Sequence, residues 1–309
     1  MTKLLPKAQC ALRVRQIAYH VSGSRPYSTP ASPSTMKIED HDAPHTGKIR
    51  VLLMDQPANR NALSRNFCKD LSDQIEEIKS QQSSQITKDS IRALVLASNL
   101  DKAFCAGADL KERKEMNPEE VKEFLTGVRN SFTNLEHLPI PTISAVSSYA
   151  LGGGLELALC TTLRVFASTA VVGLPETRLA IFPGAGGTYR LPRVIGLDKA
   201  RELILTGRRV SAVEAFSLGI CNRLVEVSES EAQKEGVART KALEASLELA
   251  RQICEGGPIG VQQALVAVND WERGEEGMLG PYKVVTETDD RMEALRAFGE
   301  KRKANYKGR

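Results

Sequence analysis

The order of apolar segments along the chain predicts an α/β fold. From Lys48 onward, segments suited to strands alternate with segments suited to helices. The clearest strands are residues 48–55 and 91–98, and the second is almost continuously apolar. Between them, Ser64 is suited to a helix N-cap, and apolar residues follow at helical spacing. These residues are Phe67, Leu71, Ile75 and Ile78.

A second helix and a third strand continue the alternation. Asn117 and Pro118 supply an N-cap and a first-turn proline, and apolar residues follow along one helical face. The next strand is expected over residues 142–147. It leads into a run of three glycines at positions 152–154 and then into a short buried helix that carries Glu156 in its first turn.

Helical patterns dominate the carboxy-terminal part of the chain. After Arg190, segments suited to strands become sparse. Ser211 and Glu214 are expected to form a capping box, and Gly219 is expected to end that helix. Further helices are expected over residues 230–255, 258–270 and 275–303. We expect this helical end to serve as a subunit-contact region or as a lid.

The charge distribution argues against nucleic-acid binding driven by overall charge. The chain has 309 residues, of which 41% are hydrophobic and 26% are charged, as in ordinary globular proteins. Six basic residues precede Glu39, the first acidic residue. Removing these six charges from the net charge of +4 leaves the rest of the chain at −2. A protein that binds nucleic acid through bulk charge carries a strongly basic face instead.

Residues 1–45 are predicted to be a mitochondrial transit peptide followed by a disordered leader. The stretch before Glu39 lacks acids and combines arginine and serine with scattered apolar residues. The segment from Arg25 to Ser28 resembles a processing site with cleavage near Tyr27, so a location in the mitochondrial matrix is expected. A floppy terminus without a targeting role is the alternative. No apolar stretch approaches the ~20 residues that cross a bilayer, so no membrane span is expected.

Several enzyme classes lack their characteristic residues. The six cysteines are scattered without a Cys-x-x-Cys pair, which predicts free thiols. His137 is the only histidine after residue 46, which disfavours a zinc enzyme and a Ser/His/Asp hydrolase. The glycines of residues 184–188 do not form a dinucleotide motif, because Tyr189 takes the place of the last glycine. We therefore expect neither a metal nor a nucleotide cofactor.

Two turns that contain glycine can present main-chain amides to a ligand. One covers residues 106–109, and the other is the glycine run at 152–154. Amides at the start of a helix have no internal partner and can stabilise an oxygen that gains negative charge. We choose Gly153 as such a donor. A flexible turn or a site of tight helix packing is the alternative for a glycine run by itself.

Two glutamates twenty positions apart form a candidate acid–base pair. Glu156 lies in the short helix predicted over residues 155–160, and Glu176 follows Pro175. A paired acid and base is the simplest apparatus for adding water to a carbon–carbon bond or removing it. Two solvated acids at helix ends are the alternative. With the two turns, the pair indicates an enzyme that acts on a thioester.

Four segments resemble those of the enoyl-CoA hydratase (crotonase) superfamily, and the similarity extends over about residues 48–309. Each segment is moderately specific, and their order and spacing together make coincidence very improbable. The segments cover residues 103–111, 150–158, 174–188 and 293–303.

The resemblance implies a spiral of ββα units with a helical carboxy-terminal trimerisation region. On this basis we expect the spiral core over residues 46–250 and the trimerisation region over residues 251–309. The family usually assembles as a trimer or a dimer of trimers, so a homotrimer or homohexamer is expected.

The resemblance also implies roles for individual residues. The amides of Ala108 and Gly153 match the donors of the family's oxyanion hole. Glu156 and Glu176 match the two catalytic glutamates of its hydratases. We assign Glu156 as the base that activates water and Glu176 as the proton donor to Cα, and the reverse assignment stays open.

Three further residues resemble those that hold coenzyme A. Lys111 matches a residue near the adenine and phosphate end, whereas Phe298 and Lys301 match residues that close over CoA, commonly from a neighbouring subunit. An ordinary solvated basic helix is the alternative for Lys301. The expected partner is an acyl-CoA substrate, and CoA belongs to that substrate, so no separate cofactor is expected.

Two of these motifs are most similar to those of mitochondrial methylglutaconyl-CoA hydratases of leucine breakdown. They cover residues 104–113 and 174–181. This similarity implies 3-methylglutaconyl-CoA as the substrate, and a general short-chain enoyl-CoA hydratase of fatty-acid β-oxidation is the alternative. The second carboxylate of that substrate calls for a cation or donor in the acyl pocket, and the sequence does not single one out.

RNA binding is the alternative from another class, because a hydratase of this kind binds AU-rich RNA through a lysine-rich helix. The corresponding helix here, over residues 64–82, contains three basic and four acidic side chains, which leaves a net charge of −1. Phosphate contacts need clustered positive charge. We therefore do not expect RNA to be a partner.

Overall fold

The computed structural model describes residues 34–82 and 86–309, and its strands and helices alternate as an α/β fold requires. The strands are β1 (Met36–Asp42), β2 (Lys48–Met54), β3 (Ile91–Ser98), β4 (Thr142–Val146), β5 (Tyr149–Leu151), β6 (Leu163–Ala167), β7 (Val171–Gly173), β8 (Arg209–Ser211) and β9 (Arg223–Val225). Within the described ranges, one sheet has the order β1-β2-β3-β4-β6-β9, and a small sheet has the order β5-β7-β8. β1 runs antiparallel to β2, and the other pairs of the large sheet are parallel.

The helices follow the strands and then form the carboxy-terminal end. They are α1 (Arg65–Gln82), α2 (Leu110–Glu115), α3 (Pro118–Glu136), α4 (Gly153–Leu159), α5 (Gly187–Ile195), α6 (Leu197–Thr206), α7 (Ala212–Leu218), α8 (Glu229–Ala232), α9 (Val237–Cys254), α10 (Pro258–Asn269), α11 (Glu275–Thr286) and α12 (Asp289–Glu300), with 3₁₀ helices at Pro175–Leu179 and Trp271–Arg273. Among the described helices, none is both long and apolar enough to cross a bilayer.

The large sheet separates two apolar cores. Along β2, Leu52 and Met54 belong to one core, whereas Val51 and Leu53 belong to the other. The first core includes the apolar faces of α1 and α3, and the second includes that of α9. Since the central strands are covered on both sides, β3 is buried at every position, which explains its nearly continuous apolar sequence.

The helices α1 and α3 begin at the side-chain N-caps that the sequence predicts. The Ser64 hydroxyl accepts the N–H of Phe67 at 3.2 Å. Asn117 and Glu120 form a reciprocal capping box at the start of α3. These caps satisfy amides that have no partner inside the helix.

The strand β1 corrects the prediction that the disordered leader extends to residue 45. It pairs with β2 along its whole length. The buried Arg50 donates two hydrogen bonds to Asp40 in β1, at 2.9 and 3.0 Å. β1 is an edge strand whose side chains are mostly exposed and polar, so it lacks the apolar signal of the central strands. The predicted transit peptide and its cleavage near Tyr27 lie outside the described residues.

Three predictions for the carboxy-terminal helices were partly wrong. The helix expected over 230–255 is divided into α8 and α9 at Gly236, whose φ of +80° is not helical. The helix expected over 275–303 is divided into α11 and α12, because the Thr288 hydroxyl caps a new helix start. Ser211 caps α7 as predicted, but the carboxylate of Glu214 pairs with Arg208.

Candidate active site

A cavity of about 440 Å³ opens where β5 and β7 end. These strands are parallel, with Leu151 opposite Gly173, so the residues after both strands leave the same edge of the small sheet. The N–H of Gly152 donates to the carbonyl of Gly173 at 2.9 Å and joins the two exits. Four residues predicted from the sequence line this cavity: Ala108, Gly153, Glu156 and Glu176.

The amides of Ala108 and Gly153 lie close together on one wall. A Cβ atom placed on Gly107 would be 3.5 Å from the nitrogen of Gly153, and one placed on Gly153 would be 3.8 Å from the nitrogen of Ala108. Neither of the two N–H groups donates to an acceptor among the described residues. The bridge between Leu63 and Ala108 uses the N–H groups of Leu63 and Asp109 instead. The pair is therefore free to bind an oxygen that gains negative charge.

Glycines allow the two turns to approach each other. A Cβ atom on Gly154 would lie only 2.2 Å from the carbonyl oxygen of Cys105. Gly107 has a φ of +96°, and a Cβ there would lie 2.8 Å from the carbonyl oxygen of Leu151. Tight packing, which the sequence left open as an alternative, thus explains Gly154, whereas Gly153 keeps an unpaired amide.

The Glu156 carboxylate is buried and oriented by main-chain donors. It lies in the first turn of α4, which begins two residues earlier than predicted. The amides of Ala185 and Gly187 both donate to its Oε1, each at 2.8 Å. Burial raises the pKa of Glu156, while these N–H groups and the positive charge of Arg190 oppose that rise. The hydrogen bonds favour the ionised form within an apolar surrounding.

The Glu176 carboxyl receives no main-chain donor from another described segment. It lies in the 3₁₀ helix Pro175–Leu179, and its Oε1 would be 3.0 Å from a Cβ on Gly152. Its Oε2 is buried without a hydrogen-bond partner in the described part of the chain. Burial raises the pKa of Glu176 to about 7. The backbone N–H of Glu176 opposes this rise, and the negative charge of Glu156 adds to it. A proton on Glu176 is therefore retained at near-neutral pH.

The other three predicted residues do not line the cavity of the single chain. Lys111 is exposed near the start of α2, just after the cavity-lining turn. Phe298 is 87% exposed on α12, and Lys301 is the C-cap of the same helix. Their contact with CoA stays a prediction.

The structure adds residues that the sequence reasoning missed. The side chains of Arg113 and Arg129 reach the cavity, and α3 and the loop after Glu176 supply an apolar wall. The amides of Ala185 and Gly187 were also missed. They lie in a glycine-rich segment to which the sequence analysis gave no role in the site. The apolar face of α3 was visible in the sequence, but the cavity that it borders was not. The lining of this wall includes Phe124, Leu125, Val128, Leu179, Ile181 and Phe182.

The described residues contain neither a cluster of potential metal ligands nor an exposed cysteine thiol. Over residues 34–82 and 86–309, no three His, Cys, Asp or Glu side chains are grouped to hold a metal ion. The five cysteines in these ranges are buried and free of disulfides. Burial raises the pKa of the Cys105 thiol to about 12, so it stays protonated at neutral pH.

Two carboxyl groups and two free amides around one cavity are suited to acid–base chemistry beside a carbonyl group. Comparison with known proteins places the chain within such a class. It belongs to the enoyl-CoA hydratase/isomerase family, whose model matches residues 45–309. This membership confirms the predicted crotonase-type fold and shows that the protein is an enzyme of the enoyl-CoA hydratase type.

Individual relatives agree with this assignment. An enoyl-CoA isomerase/hydratase of Zymoseptoria tritici is 53% identical over 283 residues, which cover 92% of this chain and 91% of that protein. The mitochondrial methylglutaconyl-CoA hydratase 1 of Pyricularia oryzae is 47% identical over an alignment of 337 positions, which covers 98% of this chain and 95% of that protein. The crystal structure of an enoyl-CoA hydratase from Bacillus anthracis matches with a TM-score of 0.78 and 37% identity, over 89% of this chain and 100% of that chain.

Proposed function

We propose that this enzyme adds water across the α,β-double bond of an enoyl-CoA thioester, and that 3-methylglutaconyl-CoA is its substrate. The observation that carries the proposal is the convergence of the buried Glu156 carboxyl, the half-buried Glu176 carboxyl and two unpaired amides on one cavity. The relative from Pyricularia oryzae, which is named a methylglutaconyl-CoA hydratase, supports the choice of acyl group.

The different surroundings of the two acids support their assignment. Glu156, which receives two N–H donors, acts as the base that takes a proton from water as the water oxygen attacks Cβ. The amides of Ala108 and Gly153 stabilise the negative charge that develops on the thioester oxygen. Glu176 holds a proton near neutral pH and gives it to Cα. The cycle closes when Glu156 releases the proton that it took from water and Glu176 regains a proton, so that the net reaction adds one water molecule.

Activity is expected to fall as the pH rises through about 7. The pKa of Glu176 is raised to about 7, so its donor form is lost above that value. The logarithm of kcat/KM against pH should therefore decline on the alkaline side, and Glu176→Asp should alter the position of this decline. Initial rates with crotonyl-CoA in buffers of constant ionic strength measure it. A flat profile between pH 6 and 9 would remove Glu176 as the acid.

Two arginines support a substrate with a second carboxylate. The Arg113 side chain, which lines the cavity, has no acidic or hydrogen-bonding partner among the described residues. Arg129 donates to the carbonyl of Gly184 at 2.7 Å and also reaches the cavity. A charged hydrogen bond contributes roughly 1.5–3 kcal/mol, enough to favour a dicarboxylic acyl group over an apolar one.

The test compares kcat/KM for 3-methylglutaconyl-CoA and crotonyl-CoA. We expect wild type to prefer the first substrate, and Arg113→Gln to lower the ratio of the two values by roughly 10-fold to 100-fold. Lys114→Gln is the matched control, because it removes an exposed charge from the next position of α2 outside the cavity. A wild-type preference for crotonyl-CoA would favour the short-chain enoyl-CoA hydratase instead.

The assembly and location belong to the same proposal. Large apolar side chains are exposed on α11 and α12 of the single chain, including Leu279, Tyr282 and Phe298, and a homotrimer or homohexamer would cover them. In that assembly, we propose that Lys111, Phe298 and Lys301 contact CoA.

The name of the Pyricularia oryzae relative supports a mitochondrial location, and the acid-free amino terminus supports import into the matrix.

RNA binding has less support. The three basic residues of α1 each have an acidic partner: Arg65 with Glu120, Lys69 with Asp73 and Lys79 with Glu76. Paired cations of this kind do not form the clustered positive surface that phosphate contacts require.

A further inference from the structure

Arg190 is a buried cation behind the candidate active site. It lies in α5, its exposure is 2%, and it is not part of the cavity lining. Its Nε and Nη2 donate to Oε2 of Glu136 at 2.9 and 2.7 Å. Its Nη1 donates to the carbonyl oxygen of Ala185 at 2.9 Å. The guanidinium thus connects the end of α3 with the segment 185–187.

The same segment orients Glu156. Ala185 accepts from Arg190 with its carbonyl oxygen and donates to Glu156 with its N–H. Gly187 donates the second N–H to the same carboxylate oxygen. The position of the guanidinium therefore bears on both donors that hold the Glu156 carboxylate.

Gly186 provides the space for this arrangement. Its φ is +117°, and a Cβ there would be 2.0 Å from Nη1 of Arg190. A side chain at this position would displace the guanidinium or the loop. Glycine is thus required where the buried cation and the loop meet.

We propose that Arg190 is a positioning residue, which holds the segment 185–187 against Glu156 and so maintains the orientation and the ionised state of that carboxylate. The proposal rests on the hydratase function proposed above. Arg190 contacts neither the cavity nor the reacting atoms and acts through Ala185 and Gly187.

Few charged or titratable groups surround Glu156. Glu176 lines the same cavity, Arg190 contacts the segment 185–187, and Glu136 pairs with Arg190. Cys160, one turn along α4, donates its Sγ–H to the Glu156 carbonyl oxygen, and burial raises its thiol pKa. Arg190 is the positive charge that acts on Glu156, so its removal raises the pKa of the carboxyl group.

The test compares Arg190→Gln with Arg193→Gln. Arg193 is the matched control, because it also pairs with Glu136, at 3.7 Å, but is exposed. For Arg190→Gln we expect kcat to fall roughly 10-fold to 100-fold with little change in KM, and the acidic limb of the pH–rate profile to move to higher pH. In Arg190→Lys, the acidic limb should lie between those of wild type and Arg190→Gln, because lysine keeps the positive charge. A folded Arg190→Gln enzyme with an unchanged acidic limb would overturn the proposal, even if its stability were lower.

An infrared titration separates this proposal from the hydratase function. The protonated carboxyl band that Glu156→Gln removes can be followed against pH in wild type and in Arg190→Gln. We expect the band to persist to higher pH in Arg190→Gln. An upward shift in a protein that fails to hydrate any enoyl-CoA would support the role of Arg190 while rejecting the function. Identical titrations would reject the role of Arg190. If Arg190→Gln does not fold, Gly186→Ala tests the same contact with every charge retained.

Discussion

Replacing either Glu156 or Glu176 by glutamine is expected to lower kcat/KM for enoyl-CoA hydration by about 10³-fold, because each change removes one proton-transfer group. Glutamine at position 156 keeps a carbonyl oxygen that can accept hydrogen bonds from the amides of Ala185 and Gly187, so the segment 185–187 should stay in place. Glutamine at 176 can donate an N–H but cannot deliver a proton to carbon. Quenched and continuous rate assays with crotonyl-CoA and 3-methylglutaconyl-CoA measure the decrease in kcat/KM.

Stability distinguishes this loss from misfolding. The folded pKa of Glu176 is about 7, above its ordinary value, so its stabilising contribution is full below about 4.5 and is lost as the pH rises through 7. Glu176→Gln should therefore have a higher Tm than wild type at pH 8–9. Glu123→Gln, an exposed position on α3 outside the cavity, is the matched control and should keep both activity and Tm. Near-normal rates in both catalytic-site variants would refute the acid–base mechanism.

Substituting alanine for Gly154 is expected to lower kcat about 10²-fold to 10³-fold, the effect of losing one well-placed oxyanion donor. The new Cβ would lie 2.2 Å from the carbonyl oxygen of Cys105. That oxygen belongs to the backbone and accepts the N–H of Leu151 at 3.2 Å, so it cannot rotate away. The two turns that carry Ala108 and Gly153 must therefore separate.

Two other glycine substitutions provide a graded comparison. Gly153→Ala should have a smaller effect, because its Cβ meets the end of the Leu63 side chain, which can move. Gly127→Ala, within α3, meets nothing within 4 Å and should be neutral or stabilising by up to about 1 kcal/mol. Equal activities for Gly154→Ala and Gly127→Ala, measured with thermal unfolding on the same samples, would show that the close approach of the turns does not matter.

The predictions that succeeded depended on local signals. Ser64 and Asn117 begin their helices as expected, because a cap is decided by a side chain and an amide two or three residues away. The strand β3 was evident because burial on both faces leaves a continuous apolar run. The motifs singled out Glu156 and Glu176 as candidates, and the structure brings both to one cavity, while their catalytic roles stay a prediction.

The predictions that failed depended on distant partners. β1 carries little apolar signal and exists through its pairing with β2 and the contact of Asp40 with Arg50. The sequence did not single out Arg113, since only packing decides which of the many basic residues lines the cavity. The role of Arg190 was equally hidden, because its partners lie in α3 and in the segment 185–187.

The sequence by itself determined the α/β class, most helix starts and the family resemblance, and it singled out both candidate acids and both candidate amide donors. The tertiary structure alone decided that Glu156 receives two amides while Glu176 receives none from the other described segments, and hence that the pKa of Glu176 reaches about 7. The physical reason is that charge state and orientation depend on burial and on donors from other segments, which sequence spacing does not encode.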